Sequence, residues 1–128
     1  MSILSYALIA SLVTFIAWTD NSFTHMWLYR PIVMGPLMGL CMGNLPIGLE
    51  VGATIELMFL ATVWVGTATP PNETLSTGIA TALAVTTGDV ALAIATALPL
   101  ALLGTALVTF RNTVCTVFTM HRYERAQE

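Results

Sequence analysis

Glu50 and Glu56 are the only charged residues between Pro31 and Asn72, and carboxylates kept in so apolar a stretch must each have a reason to be there. An ionised side chain at the centre of a bilayer costs roughly 3 kcal/mol even on the gentlest scale, so it normally faces a partner, a polar cavity or a substrate. Six residues of helix turn the chain through about 600°, which leaves the two side chains roughly 120° apart and unable to serve one small site together. Glu50 closely follows Pro46 and Gly48 and is expected at a solvated segment end, near an interface or a water-filled mouth. Glu56 comes after Gly52-Ala53-Thr54 and before an uncharged run that lasts to Asn72, so it is expected deep. It either contacts a ligand or makes a structural hydrogen bond or ion pair to another helix. Carboxylates, amides and threonine hydroxyls accept from and donate to hydroxyl groups, so Glu56, Thr54 and Asn44 form the predicted substrate-binding set, and a sugar suits it well.

Catalytic chemistry finds no support. There is no HExxH, GxSxG or phosphate-binding loop, and no convincing intramembrane aspartate pair. HRYER, at 121–125, lacks metal-ligand spacing and reads as a cytoplasmic interface or a frayed tail. Cys41 and Cys115 each sit in an apolar run without neighbouring ligands, and are expected as buried free thiols. No catalytic residue, metal or cofactor is therefore expected. Seven acids against four arginines give a net charge of −3, which excludes nucleic acid as a partner because nothing could neutralise a phosphate backbone.

The elements that hold these residues are those of a membrane protein. Of 128 residues 56% are hydrophobic and 9% charged, and the mean hydropathy is +0.82. Apolar stretches run over 1–19, 31–49, 51–72, 74–88 and 90–110, several long enough or nearly so to cross about 30 Å of hydrocarbon. The amino end has no basic residue before its apolar run and no small-residue cleavage site, so it is read as a retained membrane segment. The expected fold is an all-α integral membrane protein with several transmembrane and broken or re-entrant helices, in one membrane domain over 1–128. Asp20 to Arg30 reads as an interfacial turn with Trp18, Trp27 and Tyr29 at headgroup level. Arg30-Pro31 opens the next segment, since proline is harmless in a first helical turn. Gly35, Gly39 and Gly43 recur every four residues, which puts small residues along one helix face and lets a second helix approach closely. Pro36, Pro46, Gly48 and Gly52 interrupt the same region and suggest a broken or re-entrant segment. Thr69 to Thr74, TPPNET, reads as a turn near the membrane surface: Pro70 and Pro71 stop one helix, and Asn72 can cap the next. Thr86, Thr87 and Thr96 can back-bond to helix carbonyls and suit a bundle interior. Arg111, Arg122 and Arg125 place the polar tail in the cytoplasm by the positive-inside rule.

The stretch YRPIVMGPLMGLCMGNLPIGLEVGATIELMFL, followed by VGTATPPN and then AVTTGD with ALPLAL, resembles the IIC subunit of the mannose, fructose and sorbose family of bacterial phosphotransferase sugar transporters. The likeness runs from about Trp27 to Arg122. Its specific parts are Arg30-Pro31, the Gly39 to Gly43 spacing, Gly52 to Leu57, and Pro70-Pro71-Asn72. The resemblance implies a multi-pass permease of the bacterial inner membrane that assembles as an oligomer with a IID membrane subunit and works with cytoplasmic IIA and IIB phosphocarriers. Phosphorylated histidines belong to those other subunits, and Glu56 matches the family's Thr-Leu-Glu glutamate. Gly43-Asn44 departs from the family's Gly-Asp, so a role needing negative charge there does not carry over. Family members are about twice this length, so the chain is expected to be an intact half of a split subunit, a truncated product or a fragment. Its Pro-Pro-Asn and Thr-Thr-Gly stretches look more like members handling N-acetylgalactosamine, galactosamine or sorbose. The competing expectation is a structural or assembly role without transport.

Overall fold

A computed structural model describes residues 3–23, 26–62 and 70–127, with side chains from 21–23 and 124–127 left aside. Thr69, the first residue of the expected turn, and the Arg125 side chain lie outside what is described. Five helices follow one another: α1 (Ile3–Phe23), α2 (Pro31–Cys41), α3 (Leu45–Phe59), α4 (Glu73–Thr87) and α5 (Val90–Gln127). No strand occurs among the described residues.

α2 and α3 form a tight hairpin, and glycine is the reason. A Cβ on Gly35 would lie 2.5 Å from the Gly52 Cα, and one on Gly39 would lie 2.8 Å from the Gly48 Cα. Backbone therefore packs on backbone at two levels, one helical turn apart, as small residues permit between membrane helices. At 11 and 15 residues these helices reach only about 16 and 22 Å, too short to cross a bilayer alone. They are the broken segment that the prolines and glycines suggest.

The break itself falls elsewhere than the apolar stretches indicate. It lies at Met42–Asn44, and Glu50 sits inside α3 rather than between two spans. Gly43 is outside the glycine face: its φ is +83°, a Cβ there would touch nothing within 4 Å, and it turns the chain between the hairpin arms. Asn44 then caps α3 by accepting from the Ile47 N–H at 3.5 Å.

α4 is central. Its Ala80 and Ala84 pack with Val51, Ile55 and Phe59 of α3 and with Ala93, Ala97 and Ala101 of α5. A second cluster joins Val13 and Ala17 of α1 to Met34 and Met38 of α2 and to Met42. Gly78 brings α1 against α4, where a Cβ would meet the Thr14 hydroxyl at 2.3 Å. Asn72 caps α4 by accepting from the Leu75 N–H at 3.0 Å. The proline-interrupted backbone before it is satisfied by α5: the Thr105 hydroxyl donates to the Pro70 carbonyl at 3.2 Å and accepts from the Asn72 N–H at 3.0 Å. Irregular backbone in a membrane protein persists only where protein satisfies it in this way.

Three further expectations need correction. The polar tail is not frayed: α5 runs through it to Gln127, and its described side chains from Thr109 to Tyr123 are all exposed. Cys41 and Cys115 are free but exposed, because α2 turns Cys41 outward and α5 has left the bundle by Cys115. Thr86 and Thr87 do back-bond to α4 carbonyls, at 2.9 and 2.7 Å, but on the exposed rather than the interior side.

Candidate functional site

The charged groups meet where α2 begins, α3 nears its end and α4 begins. Arg30 is the extended residue just before α2, with φ −71° and ψ 138°. Its guanidinium forms an ion pair with Glu56 of α3 and stands 3.6 Å from the Glu73 carboxylate of α4. The second oxygen of Glu56 accepts from the Ile32 N–H at 3.3 Å. That N–H belongs to the first turn of α2, where backbone donors lack helical partners and attract negative charge. Glu56 therefore neutralises Arg30 and caps α2 at once, the ion-pair alternative for this residue.

Two carboxylates face one guanidinium, and the cluster is largely enclosed, with side-chain exposures of 22% for Arg30, 11% for Glu56 and 17% for Glu73. The Oε2 atom of Glu73 is buried with no hydrogen-bond partner. A buried acceptor left unmatched is costly and is readily satisfied by an incoming donor. The arrangement can therefore hold a neutral polyhydroxylated or a cationic solute, donating from Arg30 and accepting at Glu73. Among the described residues no group of His, Cys, Asp and Glu could hold a metal ion.

Thr54 and Asn44 do not join this cluster. Thr54 donates to the Glu50 carbonyl of its own helix at 2.8 Å and lies about 200° around α3 from Glu56. Asn44 caps the far end of α3, about 18 Å along the axis from Glu56. Glu50 is exposed and has no ion pair among the described residues. Three residues enter that the spacing of the sequence did not single out as a site. Arg30 had been read as a helix boundary, Glu73 as part of a turn, and Asp20 as interfacial. Asp20 is 4% exposed and accepts from the Met26 and Leu28 N–H groups at 3.0 and 2.9 Å. Between those two donors Trp27 has φ +68°, a region that costs a bulky residue about 1 kcal/mol or more. The Trp27 ring stacks beside Tyr29 with centroids 6.4 Å apart, and the Arg30 guanidinium lies 6.0 Å from its centre.

A helical bundle with a short glycine-packed hairpin and an enclosed cluster of one arginine and two glutamates at one end defines an all-α membrane protein. The match of residues 4–128 to the family described as PTS system sorbose-specific IIC component makes the assignment specific: this chain belongs to that family and is a membrane protein. It is 43% identical over 89 residues to an Escherichia coli (strain K12) protein bearing the name N-acetylgalactosamine permease IIC component 2, covering 66% of this chain and 65% of that one. It is 35% identical over 126 residues to the fructose permease IIC component of Bacillus subtilis (strain 168), covering 98% of this chain and 45% of that one. The fold matches a chain in the cryo-EM structure of the mannose transporter ManYZ in complex with microcin E492, with a TM-score of 0.83, 26% identity, and coverage of 99% of this chain and 51% of that chain. The chain thus spans about half the length of that fructose permease and of the transporter chain.

Proposed function

We propose that the chain is a working permease component of a phosphotransferase sugar transporter, with a hexose or amino sugar as its solute. N-acetylgalactosamine, galactosamine and sorbose are the substrates to examine first. In this reading residues 1–128 form a single membrane domain of the bacterial inner membrane, assembled with a IID subunit. Cytoplasmic IIA and IIB subunits supply the phosphate, so no residue of this chain takes part in phosphoryl transfer. The observation that carries the reading is the unmatched Glu73 oxygen beside an Arg30 already paired with Glu56. A sugar hydroxyl or ammonium supplies the missing donor, and the guanidinium edge serves a neighbouring oxygen.

The test is phosphoenolpyruvate-dependent uptake of labelled N-acetylgalactosamine, galactosamine, sorbose and mannose in cells that contain the companion subunits, with and without this chain. Uptake of at least one sugar should depend on the chain. Equal uptake of all four in both strains would leave the family fold with an assembly role and no transport of its own.

A further inference from the structure

The turn between α1 and α2 holds an indole in place with more care than packing requires. Trp27 is the one non-glycine residue with positive φ among the described residues, and its backbone is fixed from several sides. The buried Asp20 carboxylate takes the N–H groups on either side of it. The Arg30 N–H donates to the Trp27 carbonyl at 3.2 Å, and the Thr74 hydroxyl of α4 holds the Tyr29 carbonyl at 3.2 Å. What this clamp presents is nevertheless 61% exposed.

A headgroup anchor has no need of such a device. An indole reaches its depth at a membrane interface by side-chain rotation from an ordinary backbone region. A strained backbone that its surroundings over-determine, ending in an exposed ring, is what a fixed contact surface needs. The ring also borders the charged cluster, since the guanidinium that lies over it, 6.0 Å from its centre, is the one that pairs with Glu56 and approaches Glu73.

We propose that Trp27 is the stacking platform for the C–H face of the transported sugar, and that it favours galactose-configured pyranoses. The axial 4-hydroxyl of such a sugar leaves the hydrogens on C3, C4 and C5 directed to one side. That apolar, slightly positive face suits the negative face of an aromatic ring. The hydroxyls at its edge then lie toward Arg30 and Glu73. This inference rests on the sugar-permease reading above.

The experiment compares Trp27→Gly with Trp27→Phe in the complete transport system, measuring KM, maximal uptake and membrane level for N-acetylgalactosamine, galactosamine, sorbose and mannose. Glycine accepts the left-handed backbone without strain but removes the ring, whereas phenylalanine keeps a ring and the strain. Trp27→Gly should raise KM for the galactose-configured sugars by about tenfold, with maximal uptake kept and the melting temperature of the purified chain at or above that of the wild type. Trp27→Phe should stay within about threefold of the wild-type KM. An unchanged KM in Trp27→Gly overturns the platform and leaves the permease reading intact. A fall in melting temperature together with the rise in KM also overturns it, by making Trp27 a packing residue. Wild-type cells that take up none of the sugars overturn the permease reading, and this inference with it.

Discussion

Arg30 faces two carboxylates, and that imbalance sets the order in which substitutions should hurt. Arg30→Met would leave Glu56 and Glu73 enclosed with no cation between them. Removing one partner of a buried pair in this way costs on the order of 3 kcal/mol. Glu56→Gln keeps Arg30 opposite Glu73, and the amide oxygen can still accept from the Ile32 N–H, so the loss should be nearer to about 1 kcal/mol. Glu73→Gln removes the charge of a carboxylate whose Oε2 has no donor and should melt close to the wild type. Thermal unfolding of the chain in detergent should therefore rank Arg30→Met lowest, Glu56→Gln next and Glu73→Gln highest. A Glu56→Gln variant less stable than Arg30→Met would mean that capping α2 outweighs the charge balance. Glu56 was conspicuous in the sequence because a carboxylate in an apolar run is expensive anywhere. Its partner was not, because a residue before α2 and one late in α3 acquire a common location only once the hairpin has closed.

The hairpin of α2 and α3 carries its own test, since its glycines serve two different ends. Gly48 has the Gly35 carbonyl oxygen at 2.5 Å and the Gly39 Cα at 2.7 Å from where a Cβ would be, and backbone atoms cannot give way as a side-chain tip can. Gly48→Ala must push the helices apart and should cost roughly 2–3 kcal/mol, the upper part of the range for overpacking a tight core. Gly43→Ala meets open space and incurs only the left-handed backbone, about 1 kcal/mol. Denaturation of the two variants in the same detergent should separate them clearly, and equal losses would count against direct backbone contact in the hairpin. The four-residue spacing made the Gly35–Gly39 face legible, as binary small-residue patterns usually are. The break after Met42 was harder to see, because Pro46 and Gly48 look like stronger breakers. Pro46 proves harmless in the first turn of α3, where no N–H partner is lost, and Gly48 is there to be packed against. The length of α5 was missed for a related reason. Charge after Phe110 suggests the end of a segment, but no glycine or proline follows Gly104, and nothing else stops a helix.

At the scale of the whole molecule, the arginines lie toward one end. Arg30 sits where α2 starts, and Arg111 stacks over Trp18 near the end of α1, 5.8 Å from the ring centre. Arg122 and Arg125 follow on the part of α5 that projects beyond the bundle. The connection between α2 and α3, and the Gly88-Asp89 turn between α4 and α5, carry no basic residue. Excess Arg on one side is the main determinant of orientation in the membrane, so the end with the Arg30 cluster should face the cytoplasm, the side on which the proposed function has a phosphorylated carrier meet the sugar. Cys115 reports this directly, being exposed on α5 four residues past Arg111. In a Cys41→Ser background a membrane-impermeant maleimide should label Cys115 in inverted inner-membrane vesicles and leave it unlabelled in intact cells. Labelling from outside would invert the bundle and put the cluster on the wrong side for phosphate delivery from the cytoplasm, and the positive-inside argument would fail for this chain.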